Sequence, residues 1–422
     1  MKYIHRNLSG KLEKAVKTFS AVYLGGARQC GKSTFIKNTL LPDKSANYLT
    51  FDLETLLLSA RQDPDAFIAG LPKDKLNIID EVQRVKNIYL RIKKAVDDQR
   101  LEGKGKGLFL LTGSSNIFAL PELAEHMVGR IALLTLYPFS AAETHNSARN
   151  FIDALWNKKL TVKNFKRADV IDLITQSTFP ELVLDRNIDR SLWFNSYLTT
   201  ILRRDAFEFA MIRKPDMISR LLVSLSGRVG SLLRDDNIMK ETGMNQGTYT
   251  KYKAFCHAAF MTFEVQPWAK PNKLNKRFMK SKKVYFTDTN FLCFLLRRDI
   301  RDVFDNNLPL KGALFENFVA SEIMKSISVL PGTYYVSHFN PVRGDGNETD
   351  FVIEKDNGEA IAIEVKSDST LSNEDFRNLA LCRDTIGNKF KLGIVLYPGN
   401  DLVPFGERLW AVPVNYLWTD TN

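Results

Sequence analysis

Short, largely apolar runs alternate with helix-like patterns in the first third of the chain. These runs are residues 21–24, 48–52, 76–79 and 108–111. Their length favours strands, and the stretches between them carry apolar residues at helical spacing. Strands that alternate with helices indicate a three-layer α/β domain with a largely parallel sheet. We expect this domain to span residues 1–143, with a lead-in helix within its first 20 residues.

A glycine-rich loop follows the first apolar run. It reads Gly-Ala-Arg-Gln-Cys-Gly-Lys-Ser-Thr and satisfies the pattern G-x-x-x-x-G-K-S/T at every fixed position. Gly26 and Gly31 let the backbone curl so that successive N–H groups face one phosphate chain. Lys32 is then placed to meet the β- and γ-phosphates of ATP and to act in catalysis, and the Ser33 hydroxyl to ligate Mg²⁺. The expected nucleotide-binding residues are those of the loop itself: Gly26, Ala27, Arg28, Gln29, Cys30, Gly31, Lys32, Ser33 and Thr34.

The third apolar run ends in two acids, Asp80 and Glu81. A strand that ends in this way is the partner motif that a phosphate-binding loop requires. We expect Asp80 to hold the Mg²⁺ and Glu81 to polarise the attacking water as a general base.

Three more residues are candidates for contact with the transferred phosphate. The fourth run ends in Thr112 and Ser114, where a hydroxyl reads the γ-phosphate or the attacking water. A plain turn after a strand is the alternative for both. Arg130 lies further along, where an arginine reaches the triphosphate of its own or a neighbouring subunit. A surface role for Arg130 is equally compatible with the sequence.

Five short motifs stand in order along this part of the chain. They are Gly-Ala-Arg-Gln-x-Gly-Lys-Ser, Ile-Ile-Asp-Glu-Val-Gln, Leu-Thr-Gly-Ser-Ser, Gly-Arg-Ile and Leu-Tyr-Pro-Phe-Ser-x-x-Glu. Together they resemble a family of prokaryotic AAA-type ATP-binding proteins, whose ATPase is fused to a C-terminal domain of unknown function. Residues 179–181, 203–205 and 281–288 are also similar to that family, so the resemblance covers nearly the whole chain. It implies an AAA-type core and, with a trans-acting arginine, a homo-oligomeric ring.

The middle of the chain predicts two further modules. Residues 144–215 are expected to form a helical lid beside the nucleotide, with Arg203 and Arg204 as phosphate contacts or ordinary surface residues. Residues 216–290 predict a winged helix, with three helices followed by a strand pair. Residues 270–283 contain seven basic residues and no acid, and as a wing they fit a phosphate backbone. Winged helices also dock proteins, so DNA contact and protein docking are both open at this point.

The last third, residues 291–422, carries a second group of charged residues. Glu316 lies on a predicted helix, Asp350 begins a predicted strand, and Glu364 and Lys366 share one face of the next strand. The pattern resembles the core of restriction-endonuclease-like nucleases. That resemblance implies Mg²⁺ on Asp350 and Glu364, water activation by Lys366, and Glu316 as the third acid. The alternative is an inactive nuclease fold that keeps the site for binding or stability. In either case a metal or Lys366 must offset the repulsion of the acids.

Composition narrows the class of protein. A chain of 422 residues with 44% hydrophobic content is expected to form two or three domains with buried cores. The net charge of +11 favours a polyanionic partner, and a solvated basic surface is the alternative. The four cysteines have no zinc spacing and imply no disulfide framework. Neither a signal peptide nor a membrane span is apparent, so we expect a cytoplasmic protein with no membrane partner.

The predicted architecture is α/β: a P-loop AAA-type ATPase core, a helical lid, a winged helix and a C-terminal restriction-endonuclease-like α/β domain. The predicted function is ATP hydrolysis, with Mg²⁺, coupled to binding or remodelling of nucleic acid, most simply DNA. Cleavage by the C-terminal domain is an open question. The alternative function is a nucleotide-gated protein-interaction module with an inactive nuclease fold.

Overall fold

The computed structural model describes most of the chain. The described residues are 3–42, 46–85, 87–114, 127, 129–157, 160, 168–206, 212, 214–270, 281–298, 301, 303–304, 308–340 and 348–419. The predicted helix after Ser114 and most of the predicted basic wing, residues 271–280, lie outside them. The side chain of Arg204 is also outside what is described. No helix within the described ranges is long and apolar enough to cross a membrane.

A five-stranded parallel sheet forms the centre of the N-terminal part. Its strands are β1 (Ala21–Gly25), β2 (Ala46–Thr50), β3 (Leu76–Asp80), β4 (Phe109–Gly113) and β5 (Ile131–Thr135), in the order β2-β3-β4-β1-β5. All neighbouring pairs are parallel. Because β4 lies between β1 and β3, the loops that follow these three strands meet at one edge of the sheet. The prediction of a parallel α/β domain is confirmed.

Helices cover both faces of this sheet. They are α1 (Ser9–Thr18), α2 (Lys32–Leu40), α3 (Glu54–Gln62), α4 (Pro64–Ala69) and α5 (Ile88–Leu101). Along β1 the buried side chains alternate between two hydrophobic clusters. Val22 and Leu24 join one cluster with α1 and α2, and Tyr23 joins the other with α5. The continuous apolar run of β1 therefore reflects burial on both faces, as expected for a central parallel strand.

Short helices follow β5 and lead to a compact aromatic cluster. They are α6 (Ala141–Thr144), α7 (Phe151–Trp156), α8 (Val170–Thr175), α9 (Pro180–Leu184) and α10 (Arg190–Thr200), and α10 continues into a π-helical turn, Ile201–Asp205. Phe179 packs against Trp193 and Tyr197 at ring-centroid distances of 5.1 and 5.0 Å. Tyr197 also meets Phe291 edge-on. This cluster fixes the predicted lid segment beside the glycine loop.

Three helices and two strands follow the lid. They are α11 (Asp216–Ser226), α12 (Asp235–Thr242), α13 (Gln246–Ala258), β6 (Thr262–Pro267) and β7 (Lys283–Phe286). The two strands pair antiparallel. Three helices followed by a strand pair is the element order that the sequence predicts. However, β6 also pairs in parallel with a strand of the C-terminal part, β8 (Tyr334–Phe339). The C-terminal sheet therefore includes β6 and β7, which precede the predicted domain boundary at residue 290. The strand pair belongs to that sheet as much as to the three helices.

The C-terminal part is built on an eight-stranded mixed sheet. Its remaining strands are β9 (Thr349–Lys355), β10 (Ala360–Val365), β11 (Phe390–Tyr397), β12 (Val403–Pro404) and β13 (Leu409–Pro413), in the order β12-β13-β11-β10-β9-β8-β6-β7. The helices are α14 (Thr289–Leu296), α15 (Leu308–Val329) and α16 (Arg377–Ile386). The last pair between β9 and β10 is Phe351 with Ile363. Continuing that register places Asp350 opposite Glu364, since both strands extend by one residue.

The long helix α15 joins the N-terminal and C-terminal parts. The buried carboxylate of Glu322 accepts a hydrogen bond from the backbone N–H of Ala141 at 2.8 Å. Its other oxygen pairs with the buried ammonium of Lys325 at 2.9 Å. At the end of the same helix, Lys11 donates to two backbone carbonyls, those of Ser328 and Leu330. Glu322 therefore ties the two parts together.

Candidate functional site

The glycine loop requires its two fixed glycines for different reasons. Gly31 precedes α2 with a φ of 93°, a conformation that favours glycine. A Cβ on Gly26 would lie 2.3 Å from the carbonyl oxygen of Leu136, because the chain after β5 packs directly on the loop. The backbone N–H of Leu136 donates to the carbonyl of Gly25 at 2.8 Å. The loop is therefore held against the end of β5, and a side chain at Gly26 cannot be accommodated without a backbone shift.

Lys32 is buried inside the curve of this loop. Its ammonium donates to the carbonyl oxygens of Gly26 at 2.9 Å and of Ala27 at 3.0 Å. The residue is 6% exposed. Two neutral carbonyl oxygens hold the ammonium in position without neutralising its charge, so the side chain is ordered and stays available to an anion.

Asp80 is the centre of a hydrogen-bond network beside the loop. One carboxylate oxygen accepts from the hydroxyls of Ser33 and Tyr48, both at 2.6 Å. The other accepts from the hydroxyl of Thr112 at 3.2 Å and from the backbone N–H of Glu81 at 3.1 Å. Burial, followed by the neighbouring Asp80, raises the pKa of the Tyr48 phenol, which stays a neutral donor. Tyr48 was not among the predicted site residues, because its contact with Asp80 depends on the pairing of β2 with β3, which no sequence motif indicates.

The predicted Mg²⁺ ligands lie together in this network. Ser33 begins α2 and Asp80 ends β3, and their oxygens are in direct contact. A hydroxyl and a carboxylate are the hard oxygen donors that Mg²⁺ prefers, and Mg²⁺ is bound through one or two such groups plus phosphate and water. The residues present thus fit a nucleotide-bound Mg²⁺. Thr112 contacts Asp80 and not the loop, which makes it a partner of the predicted metal ligand.

Glu81 is held by Gln83, a residue that was not among the predicted site residues. Glu81 adopts a left-handed φ of 56°, which turns it out of the strand direction. The amide nitrogen of Gln83 donates to its carboxylate at 2.6 Å and lies 3.4 Å from the hydroxyl of Ser114. Burial raises the pKa of Glu81, while the charges of Lys32 and Arg28 act to lower it. Gln83 therefore connects the predicted base to one of the two predicted hydroxyl sensors.

Arg28, the third residue of the loop, is bound to the lid. Its guanidinium forms two hydrogen bonds to the carboxylate of Asp205, both at 2.6 Å. Asp205 ends the π-helical turn, and such turns are frequent at functional sites. In the Arg203–Arg204–Asp205 run it is thus the acid that contacts the loop, and Arg203 is solvent-exposed. The sequence analysis had named the two arginines as phosphate contacts or ordinary surface residues, and it had not named Asp205.

A cleft of about 400 Å³ opens between the loop and the lid. Its wall on the loop side includes Gln29, Gly31 and Thr34 together with the residues already described. On the lid side Trp193 and Tyr197 stack at 5.1 Å, and the indole N–H of Trp193 donates to Glu181 at 2.8 Å. The cleft thus combines a cationic, N–H-rich floor with an aromatic wall. Cys30 faces away from the cleft, buried against the carbonyl of Leu136.

Arg130 lies at the opposite end of the sheet. It precedes β5, whose first residue Ile131 pairs with Ala21 at the start of β1. The glycine loop follows the far end of β1, and a strand of five residues spans roughly 16 Å. Arg130 also forms a bidentate pair with Asp97, at 2.6 and 3.1 Å. The structure therefore corrects the expectation that Arg130 reaches the triphosphate of its own subunit; the trans role and the surface role both stay predictions.

The predicted nuclease-like residues form a second charged cluster, with a member that the sequence missed. Lys283 of β7 places its ammonium 3.0 Å from Glu316, 2.6 Å from Glu348 and 3.2 Å from Asp350. The side chain of Lys283 is 3% exposed. The phenol of Tyr285 donates to the same oxygen of Glu316 as Lys283 does. The sequence had assigned Lys283 to a DNA-binding wing, and the structure buries it among acids instead.

Glu364 and Lys366 lie beside this cluster. The ammonium of Lys366 is 3.2 Å from Glu364 and 3.7 Å from Asp375. Asp350 accepts a hydrogen bond at 2.9 Å from the backbone N–H of Val365, the residue between Glu364 and Lys366. Burial, together with Asp350, raises the pKa of Glu364, and Lys366 acts against this shift. The four predicted residues are thus neighbours, but Lys283 and not Lys366 is the cation that Glu316 and Asp350 share.

This cluster does not fit the predicted divalent ion. Among the described residues, no group of three or more histidine, cysteine, aspartate or glutamate side chains is arranged to hold a metal. Burial alone would lower the pKa of Lys283, but Tyr285, Glu316, Asp350 and Glu348 raise it well above its ordinary value. The lysine is therefore charged, and its ammonium contacts the oxygens that a metal would need.

Three family models match the chain. Residues 18–145 match one described as an AAA domain. Residues 167–302 and 311–417 match two models described as domains of unknown function, DUF8612 and DUF4143. The first match covers the parallel sheet, the glycine loop and the Asp80–Glu81 pair. It supports an AAA-type P-loop ATPase domain in the N-terminal part of the chain.

Two mycobacterial proteins are similar along nearly the whole chain. They are the uncharacterized proteins Mb2031c of Mycobacterium bovis and Rv2008c of Mycobacterium tuberculosis. Each is 26% identical over 415 residues, which cover 98% of this chain and 84% of the relative. Their names attach no function to the shared sequence.

Solved structures give weaker likenesses. A Walker-type ATPase of Pyrococcus abyssi superposes with a TM-score of 0.39 at 14% identity, covering 68% of this chain and 94% of its own. A variant of RuvB from Thermotoga maritima has a TM-score of 0.30 at 16% identity, covering 65% and 94%. TM-scores of this size carry no functional conclusion.

Proposed function

We propose that the chain is an AAA-type ATPase that hydrolyses ATP with Mg²⁺ and uses the energy to bind or remodel DNA. The observation that carries the proposal is the contact of Ser33 with Asp80 at 2.6 Å, next to the loop that encloses Lys32. A hydroxyl and a carboxylate beside a lysine-bearing loop are the groups that P-loop ATPases direct at Mg²⁺ and at the β- and γ-phosphates.

Each residue of the nucleotide site has a separate task in this proposal. The ammonium of Lys32 exchanges its two carbonyl partners for phosphate oxygens. Ser33 and Asp80 are the residues that would hold Mg²⁺, which neutralises charge on the β- and γ-phosphates. Glu81 accepts the proton of the attacking water, and burial strengthens it as a base by raising its pKa. Gln83 orients Glu81, and the hydroxyl of Ser114 lies on the other side of its amide.

The lid supplies binding energy for the rest of the nucleotide. The stacked pair of Trp193 and Tyr197 offers an apolar wall for the nucleoside. Arg28 couples the same lid to the loop through Asp205. Binding of ATP in the cleft is therefore expected to change the position of the lid relative to the loop.

Loss of Lys32 tests the ATPase proposal. Lys32→Ala removes the charge that meets the β- and γ-phosphates, and phosphate release should fall by about 100-fold or more. The matched control is Lys14→Ala, which removes an exposed lysine of α1 and should leave turnover unchanged. Phosphate release by Lys32→Ala at the rate of the control would contradict the proposal.

DNA binding rests on the charge and on the elements after the lid. The chain carries a net charge of +11. Helices α11–α13 and the β6–β7 pair have the element order of a winged helix, with α13 in the recognition position. Fluorescence anisotropy with labelled DNA across a salt series is the test. A steep decrease of log K with log[salt] supports phosphate contacts, and no detectable binding at low salt contradicts them.

A nucleotide-gated protein-interaction module is the second candidate. It is favoured by the contacts that join the nucleotide domain to the C-terminal part. Asp288, which caps α14, accepts hydrogen bonds from the backbone and hydroxyl of Thr178, both at 2.7 Å. Thr178 lies two residues before α9, the helix whose Pro180 lies against Gly31. A change at the loop thus has a short packed route to the C-terminal sheet. Absence of DNA binding at low salt would leave this candidate.

A further inference from the structure

The acidic cluster of the C-terminal part contains its own cation. Three carboxylates, from Glu316, Glu348 and Asp350, lie within 3.2 Å of the ammonium of Lys283. The acids come from α15, from β9 and from the residue that precedes β9, and the lysine comes from β7. A single positive charge therefore links elements that are distant in sequence, in the place where a shared divalent ion would contact the same oxygens.

The backbone of Lys283 is fixed on both sides. It pairs with Val265 of β6 on one side and forms a bridge with Leu232 on the other. The side chain is therefore anchored at its base and is not a mobile surface arm. Its 3% exposure confirms that the ammonium does not reach solvent.

The acids are equally constrained. Tyr285 donates to Glu316, and a Cβ on Gly230 would come within 2.9 Å of the other oxygen of Glu316. Gly230 has a φ of 71°, so its position is itself restricted. Asp350 is held by the backbone N–H of Val365. These partners hold the carboxylates around one common position, and the ammonium of Lys283 occupies it.

A divalent ion and the ammonium compete for the same oxygens. Metal–oxygen distances for Mg²⁺ and Ca²⁺ are about 2.0–2.6 Å, so an ion bound by Glu316 and Asp350 would lie in contact with Nζ of Lys283. Two such cations repel strongly at this separation in a buried environment. Only one of them can be present.

We propose that Lys283 is the resident cation of this cluster and excludes a divalent metal from it. The nuclease-like site is then an ion-paired joint between the β6–β7 strand pair, α15 and the C-terminal sheet, and it does not support metal-dependent cleavage. The inference does not depend on the proposed ATPase function, since the site is remote from the nucleotide cleft in sequence and is tested without nucleotide.

Binding of Mn²⁺ to the full-length, nucleotide-free protein tests the proposal. Free Mn²⁺ is counted by electron paramagnetic resonance for wild type, Lys283→Met and the double variant Lys283→Met/Asp350→Asn. Methionine keeps the length of the side chain and removes the charge. We expect Lys283→Met to gain one Mn²⁺ site at least about ten-fold tighter than any in wild type, because a repulsive charge is gone. The double variant should lose the site.

The control is Lys282→Met, the neighbouring lysine, whose ammonium pairs with Glu264 and is 41% exposed. It should gain no site. A folded Lys283→Met protein that gains no site would overturn the proposal. If Lys283→Met fails to fold, the test is the comparison of wild type with Asp350→Asn. We expect wild type to show no Mn²⁺ binding that depends on Asp350. Mn²⁺ binding or DNA nicking by wild type that is lost in Asp350→Asn would overturn the proposal.

Discussion

Arg28 of the glycine loop and Asp205 of the lid form a bidentate ion pair, with both N···O distances at 2.6 Å. Their side chains are 17% and 5% exposed. The predicted phosphate-binding loop is thus tied by a side chain to the predicted lid segment. Two parallel hydrogen bonds fix the orientation of the guanidinium as well as its distance.

The pair should contribute to stability and to nucleotide binding. Asp205→Asn leaves Arg28 without a charged partner, and loss of one member of a buried pair costs about 3 kcal/mol. We expect urea unfolding to move to lower concentration and the KM for ATP to rise. Asp236→Asn, at an exposed position of α12, is the matched control. Identical unfolding midpoints for the two variants would show that the pair does not hold the lid.

The hydrogen bond from Gln83 should set the pH dependence of hydrolysis. A bond donated to a carboxylate favours its charged form, so it lowers the pKa of Glu81 against the raising effect of burial. Gln83→Leu removes the bond, and the pKa of Glu81 should rise. Because a general base must be deprotonated, the acid limb of the kcat–pH profile should move to higher pH. An unshifted limb would remove this role from Gln83.

Substitution by alanine is expected to have opposite effects on stability at Gly26 and at Gly10. Gly26→Ala places a methyl group 2.3 Å from the carbonyl oxygen of Leu136, so the loop must shift and both stability and ATP affinity should fall. Gly10→Ala meets nothing within 4 Å and lies in α1, so it should stabilise the protein by about 1 kcal/mol. Thermal unfolding and nucleotide titration of both variants measure the contrast. Equal effects would contradict the close packing of the loop on the end of β5.

The position of Arg130 excludes contact with the triphosphate of its own subunit, and subunit mixing distinguishes the predicted trans role from a surface role. Lys32→Ala protein keeps Arg130 and lacks the loop lysine, and Arg130→Ala protein has the reverse defect. In a ring with random mixing of equal amounts, about a quarter of the interfaces combine an intact arginine with an intact loop. Hydrolysis should recover to a corresponding fraction. Hetero-oligomers without recovery would leave Arg130 as the partner of Asp97 alone.

Sequence patterns predicted those parts of the molecule that depend on local spacing. The glycine loop, its helix and the Asp80–Glu81 pair follow from fixed intervals along the chain, and the strand–helix alternation gave the parallel sheet. The contact of Ser33 with Asp80 also followed, because loops after neighbouring or next-neighbouring parallel strands meet at one edge.

Contacts that depend on the strand order were not predictable in this way. Arg130 lies at the far end of the sheet because it precedes a strand, a fact that a motif does not encode. Lys283 stands in a basic run, yet its partners Glu316 and Asp350 are 33 and 67 residues away. One feature of the sequence did indicate burial of Lys283. The residue directly precedes the apolar run Val284-Tyr285-Phe286, which forms a fully buried strand. A lysine at the start of such a strand is drawn into the interior and needs acids there.

We propose Glu81 as the general base and Ser33, Asp80 and Lys32 as residues that bind the nucleotide and its Mg²⁺. The most direct measurement is ATP binding and phosphate release by Glu81→Gln, made in parallel on one preparation. Glutamine keeps the size of the side chain and cannot accept the proton, while Asp80 and the loop are unchanged. We expect ATP affinity within a few-fold of wild type and phosphate release lower by about 100-fold or more. Wild-type phosphate release by Glu81→Gln, or loss of ATP binding in that variant, would contradict the role proposed for Glu81.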